Sequence, residues 1–138
     1  MKQFLYILCL LSLAACSPGG IPQNDAPASP NLVSQQEGDG EEHELIILDP
    51  GFQTWKATYA RPVSYYSPSY YERWNERYVR SWNEKVDLQP MNGSLDYPFQ
   101  NRIDYSPMED YGLELNYELF WYFRYIESLY GDRYNFPN

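Results

Sequence analysis

The sequence predicts an α+β domain that is mostly helical: two or three helices packed with a small two-stranded sheet (residues 45–48 and 101–105) around an aromatic-rich core. Three observations carry this expectation. Tyr70, Trp74, Tyr78, Trp82 and Val86 recur every four residues, the spacing of one helical face. Met108, Tyr111, Leu115, Leu119, Tyr122, Ile126 and Leu129 form a second such stripe. The aliphatic run Leu45-Ile46-Ile47-Leu48 and the alternating Gln100-Asn101-Arg102-Ile103-Asp104-Tyr105 have the patterning of short strands.

Composition narrows the possible chemistry. The chain of 138 residues is long enough for one domain with a tail. It carries 10 Lys and Arg against 19 Asp and Glu, a net charge of -9, which argues against nucleic acid as a partner because phosphate contacts draw on clustered basic side chains. A single His and two Cys remove most metal and nucleophile chemistries and imply no cofactor. Aromatic residues are the anomaly, with Tyr 15, Phe 6 and Trp 4, and of these only Phe4 and Tyr6 precede residue 44.

In chain order, Lys2 and the apolar run from Phe4 to Leu11 read as a secretory leader over residues 1–15, too short to cross a hydrocarbon core that takes about 20 helical residues. Leu13-Ala14-Ala15-Cys16 looks like a bacterial lipobox: small residues before the cleavage point, then a Cys whose thiol can be thioether-linked to diacylglycerol. With Cys9 removed in the leader, lipidation also accounts for a Cys16 that has no disulfide partner. Ser17 follows Cys16 without an adjacent acidic residue, which by resemblance to lipoprotein sorting patterns implies the outer membrane with the domain facing the periplasm. Residues 16–43 are rich in Pro, Gly, Ser, Asn, Gln and acid, too apolar-poor to offset the backbone entropy of folding, and are expected to form a disordered tether.

Residues 44–138 form the expected compact domain. The first strand, 45–48, should end in the turn Asp49-Pro50-Gly51, followed by a short helix over 52–59 that stops before Pro62. The second helix should start near Ser69, with Ser67-Pro68 as a competing start, and run through Val86. A loop over 87–99 leads to the second strand, 101–105. Ser106-Pro107-Met108-Glu109 then combines a cap, a first-turn Pro and a third-position Glu, which predicts a helix from there to Tyr130 with Gly131 as its left-handed stop. This last helix is apolar on so many sides that it must be central or reserve a face for another molecule.

The strings Ile46-Ile47-Leu48-Asp49-Pro50-Gly51-Phe52, Tyr70 to Trp82, Ile103-Asp104-Tyr105 and Asp110-Tyr111-Gly112-Leu113-Glu114-Leu115-Asn116-Tyr117 resemble a family of small Bacteroidetes lipoproteins classed as a domain of unknown function. The likeness covers about residues 44–131. It implies a Gram-negative envelope, in agreement with the lipobox, and transfers no catalytic residue.

For function, no Ser-His-Asp, Cys-His, HExxH or phosphate-cradling pattern is present, so no catalytic residue is assigned and the protein is expected to be no enzyme. Glu76 with Glu84, or Glu114 with Glu118, are nominal pairs for a carboxylate-based glycoside hydrolase, with nothing to place a sugar between them. Asp110, Glu114 and Glu118 line one helix edge, expected to be solvated rather than a metal site. The leading expectation is a noncatalytic binding or accessory module for another envelope protein, held to the membrane by a lipid on Cys16. The alternative is a glycan-binding lipoprotein using surface Tyr and Trp rings. The candidate surface is Tyr65, Tyr66, Tyr71, Tyr97, Tyr130 and Tyr134, with Asn75 and Asn83 from the repeated Trp-Asn-Glu-basic tetrad of the second helix.

Overall fold

A computed structural model describes residues 30–37, 40–89 and 97–137. The leader, Cys16 and the upstream half of the expected tether lie outside these residues, as does much of the 87–99 loop. In chain order the elements are β1 (Asn31–Glu37), β2 (Gly40–Ile46), α1 (Pro50–Tyr59), a 3-10 turn (Val63–Tyr65), α2 (Pro68–Asp87) and α3 (Gly112–Tyr134). The class is the expected one: three helices, a two-stranded antiparallel sheet and an aromatic core.

The strands are only partly where the sequence pattern puts them: Leu45 and Ile46 end β2, but its partner is Asn31–Glu37 and not 101–105. β1 and β2 form an antiparallel hairpin in which Asn31 faces Ile46, Leu32 faces Leu45 and Glu37 faces Gly40. Residues 31–37 and 40–43, expected to belong to a tether, therefore lie in the sheet. Leu45 and Ile47 still pack against the core, but Leu48 is 77% exposed and belongs to no strand. Residues 101–105 are irregular, because the backbone groups a neighbouring strand would bond are taken by side chains of α2.

Asp49-Pro50-Gly51 starts a helix rather than closing a turn. The Asp49 carboxylate accepts from the backbone N–H of Gly51 at 2.8 Å and of Phe52 at 3.2 Å, and Pro50 occupies the first turn, where its missing N–H costs nothing. Gly51 is required by proximity: a Cβ there would lie 2.6 Å from the Tyr125 hydroxyl. α2 begins at the competing start, with Ser67 accepting from Tyr70 N–H and Pro68 at its first turn.

The signal at Ser106 produces a turn and not a helix. Glu109 N–H bonds Ser106 O and Met108 N–H bonds the Ser106 hydroxyl, but the chain then passes through Gly112 at φ +73°, a conformation that interrupts any helix continuing from 107. α3 accordingly begins at Gly112. It also runs past Gly131 to Tyr134, stopping at Asn135 in the left-handed region, where Phe136 N–H returns to Gly131 O.

α3 is central, as its many-sided apolarity requires. α1 packs on one flank through Phe52 against Tyr122 and Tyr125, and Trp55 against Trp121. α2 packs on another. The partners of α2 advance along α3, from Tyr71 with Tyr117 to Tyr78 with Phe123 and Glu127, so these two helices run in the same general direction. That geometry requires the long crossover between them. β2 reaches the start of α3 through His43 on Tyr111, ring centroids 4.5 Å apart.

Candidate functional site

The two ends of the α2–α3 seam differ. At the far end Trp82 is fully enclosed by Phe99, Tyr122, Phe123 and Phe136, and its indole N–H donates to Asn101 O at 2.8 Å. Next to it the Asn83 amide donates to Ile103 O and accepts from Ile103 N–H, both at 2.9 Å. This amide takes the place of a neighbouring strand. Asn75, one tetrad earlier, is also fully buried: its Nδ2 donates to Asn116 O at 2.9 Å and Asn116 Oδ1 at 3.0 Å, while its own Oδ1 has no partner. The repeated asparagines thus serve the interior, and neither forms a recognition face.

The candidate rings separate in the same way. Tyr71 is fully buried with its hydroxyl on Val63 O, and Tyr97 is buried with its hydroxyl on Lys85 O, so neither is a surface anchor. The backbone carbonyl that each hydroxyl satisfies holds its ring inside. Tyr130 and Tyr134 stack on one another at the far end, where Tyr134 also meets Tyr97. Tyr65 and Tyr66 lie at the near end. Tyr65 is exposed with the Arg61 guanidinium over its ring, and Tyr66 is half-buried and stacked on Tyr70 with centroids 4.1 Å apart. The structure therefore brings together Tyr65 with Tyr66, and Tyr97 with Tyr130 and Tyr134, as two separate groups.

At the near end is a cavity of about 140 Å³. Tyr66, Tyr70, Trp74 and Tyr78 line it from one side and Phe120, Trp121 and Arg124 from α3. Its polar groups are mainly donors. Arg124 Nη1 reaches Glu127 at 2.7 Å and the Tyr78 hydroxyl at 3.5 Å. Trp121 is 7% exposed, and its buried Nε1 has no acceptor. Tyr78 donates to Glu127 at 2.6 Å, and burial first, then that bond, holds its hydroxyl well above the ordinary tyrosine range. Burial, followed by the neighbouring Tyr66, likewise pushes Tyr70 up. Both phenols stay protonated at neutral pH.

Sequence reasoning found Tyr66 but missed Trp74, Phe120, Trp121 and Arg124 as a group. A usable signal was present: Arg124 is a single basic residue in an otherwise aromatic stretch of the last helix, one turn from Trp121 and Phe120.

The acidic groups have mundane partners. Glu76 pairs with Arg80 at 2.8 Å, and these two line an open groove of about 310 Å³ with Glu84, Asp87 and Arg102. Glu118 pairs with Lys56 of α1. Asp110 precedes α3 and accepts from Gly112 N–H, so it shares no helical edge with Glu114 and Glu118. Among the described residues no group of three or more His, Cys, Asp or Glu is placed to hold a metal ion, and no helix is long and apolar enough to cross a membrane.

Comparison with curated proteins and with solved structures gives no significant match. One family model does match, over residues 4–136, so nearly the whole chain takes part in the likeness. The chain belongs to that family, described as a family of unknown function (DUF6146).

Proposed function

We propose that this protein is a noncatalytic Bacteroidetes envelope lipoprotein, anchored through a lipid on Cys16 to the outer membrane with its domain on the periplasmic side. Its domain acts as a binding or accessory module for another envelope protein. The observation that carries the binding role is the cavity between Tyr70, Trp74 and Trp121, an aromatic recess edged by the Arg124 guanidinium. The Leu13-Ala14-Ala15-Cys16 string supports the anchor, and the family match takes in that string. The ion pairing of Glu76 and Glu118 supports a noncatalytic role, because a general acid or base must be available to a substrate proton.

A protein partner suits the near end better than a glycan. Sugar platforms present open ring faces beside Asn or Asp, whereas this recess is edged by a guanidinium and phenols and is too small for a saccharide chain. The test is crosslinking and affinity capture from native envelope with the full chain, alongside palmitate labelling of wild type and Cys16→Ser. One stoichiometric envelope protein and label confined to wild type are the expected results. Capture of glycan alone, or an unlabelled wild type, overturns the reading.

A further inference from the structure

We propose that the outer edge of β1 pairs, antiparallel and centred on Ser34, with the same edge of a second copy of this chain, so that two hairpins join into one four-stranded sheet. The hairpin's own geometry opens that edge. Glu37 faces Gly40 across the loop, and counting back from that rung, Asn31, Val33, Gln35 and Glu37 exchange hydrogen bonds with β2. The backbone N–H and C=O of Leu32, Ser34 and Gln36 therefore point away from β2. Among the described elements the backbone of β1 neighbours only β2, whereas β2 also lies against α3. Among the described residues no backbone hydrogen bond from outside the hairpin ends on β1. The edge also carries none of the usual guards: from 31 to 37 there is no Pro, Lys or Arg, and the register with β2 runs without a bulge.

Charge along the two edges selects the occupant. Paired about Ser34, two copies of β1 set Asn31 opposite Glu37, Leu32 opposite Gln36 and Val33 opposite Gln35, so no like charges meet. The rungs at Leu32, Ser34 and Gln36 then exchange about six backbone hydrogen bonds. The other edge differs: β2 set against its own copy about His43 brings Glu42 opposite Glu44, which repels. A basic strand from another protein is drawn to that acidic edge. The neutral β1 edge suits an equally neutral strand, and its own copy is self-complementary about a two-fold axis that closes at two chains. The upstream part of the same chain is no substitute, because Pro18, Pro22, Pro27 and Pro30 lack the N–H groups that a paired strand donates. One strand pair buries little surface. The pairing is therefore helped by the lipid proposed for Cys16, since copies held on one bilayer meet at high effective concentration.

The experiment uses the full chain in its native envelope, carrying Ser34→Cys or Gln36→Cys, with copper-phenanthroline oxidation and a non-reducing gel. In the proposed register the two Cα atoms of residue 34 lie about 5.5 Å apart, within disulfide range, and those of residue 36 roughly 14 Å apart, outside it. Ser34→Cys is expected to give at least about 10-fold more linked dimer than Gln36→Cys, with the parent chain as blank. The second measurement is co-capture of two differently tagged copies. Ser34→Lys in both should lower it about 10-fold by setting like charges face to face, and Ser34→Lys in one with Ser34→Glu in the other should restore it. Tryptophan fluorescence should stay unchanged, because residue 34 makes none of the ladder bonds to β2. Equal linking at 34 and 36, no linking at 34 in folded protein, co-capture indifferent to Ser34→Lys, or linking of residue 34 to a different envelope protein overturns the proposal. Palmitate label is read on the same gels: label without the residue-34 dimer leaves the anchor and removes the pairing, and the dimer without label does the reverse.

Discussion

The two Trp-Asn pairs of α2 are identical as strings and opposite in circumstance. Trp82 and Asn83 sit where the seam is closed, with the indole fully enclosed and bonded to Asn101 O and with the oxygen and nitrogen of the Asn83 amide both engaged by Ile103. Trp74 is half-buried at the recess with the Arg77 guanidinium over its ring, and Asn75 is enclosed with an oxygen left over. Eight residues exceed two helical turns by about 80 degrees, so the two copies cannot face the same neighbours. A short repeat within one helix therefore reports composition, and its rotation decides which copy fills the core and which borders a space.

The sharpest way to test that contrast is to truncate each indole. Trp82→Ala should lose about 3–5 kcal/mol in urea unfolding, as expected for an enclosed aromatic residue. Trp74→Ala should lose about 1–2 kcal/mol, because part of its surface is already in water. Equal losses would show that the recess is as tightly filled as the closed end. The asparagines come next. Asn83→Ala strands both the N–H and the C=O of Ile103 and should cost about 1–3 kcal/mol. Asn75→Ala should cost less, since Asn116 Oδ1 keeps the Tyr105 hydroxyl as a donor at 2.8 Å and the substitution removes an unpartnered oxygen.

Gly112→Ala offers a smaller and more specific perturbation. A Cβ at 112 meets nothing within 4 Å, so the expected loss of roughly 1–2 kcal/mol comes from the positive φ alone. It acts on the Asn75 side only, because Gly112 O accepts from the Asn116 amide that Asn75 bonds. The smallest effect is a slope with pH. Burial first, then the charge of Glu72, pushes the Tyr105 hydroxyl up from 10.0 to about 12. Between those values the unfolded phenol ionises while the native one keeps its proton, so native protein binds more protons and stability falls as pH rises from 10 to 12. Tyr105→Phe should flatten that fall in part, leaving the portion owed to the other raised phenols, among them Tyr78, Tyr122 and Tyr125, the last pushed up to about 12 by burial and Asp49.

How far the sequence could be read follows from the range of the forces involved. α2 was legible because its Ser67-Pro68 cap and its aromatic spacing are local. Even so, the buried face centres on Tyr71, Asn75, Tyr78 and Trp82 rather than on the four-residue series, which drifts about 40 degrees at each step. Residues 101–105 do alternate, with Ile103 inward, but what binds their backbone is an amide at 83, a contact no local pattern announces. The hairpin did leave a signal: Gly38-Asp39 separates two seven-residue strands, and Gly-Asp is a dipeptide favoured in two-residue hairpin loops. It was outweighed by the polarity around it. The recess was illegible because its walls come from α2 and α3, more than forty residues apart in the chain.

The hairpin also sets a working radius. Pro30 is buried and Asn31, opposite Ile46, is the first rung of the sheet. If Cys16 carries acyl chains as proposed, the peptide links from there to Pro30 span at most about 50 Å at full stretch, roughly half of what links through His43 would allow. On that proposal a partner lies within this span plus the domain's own extent from the bilayer surface, and insertion at residue 29 should extend capture to partners held farther away.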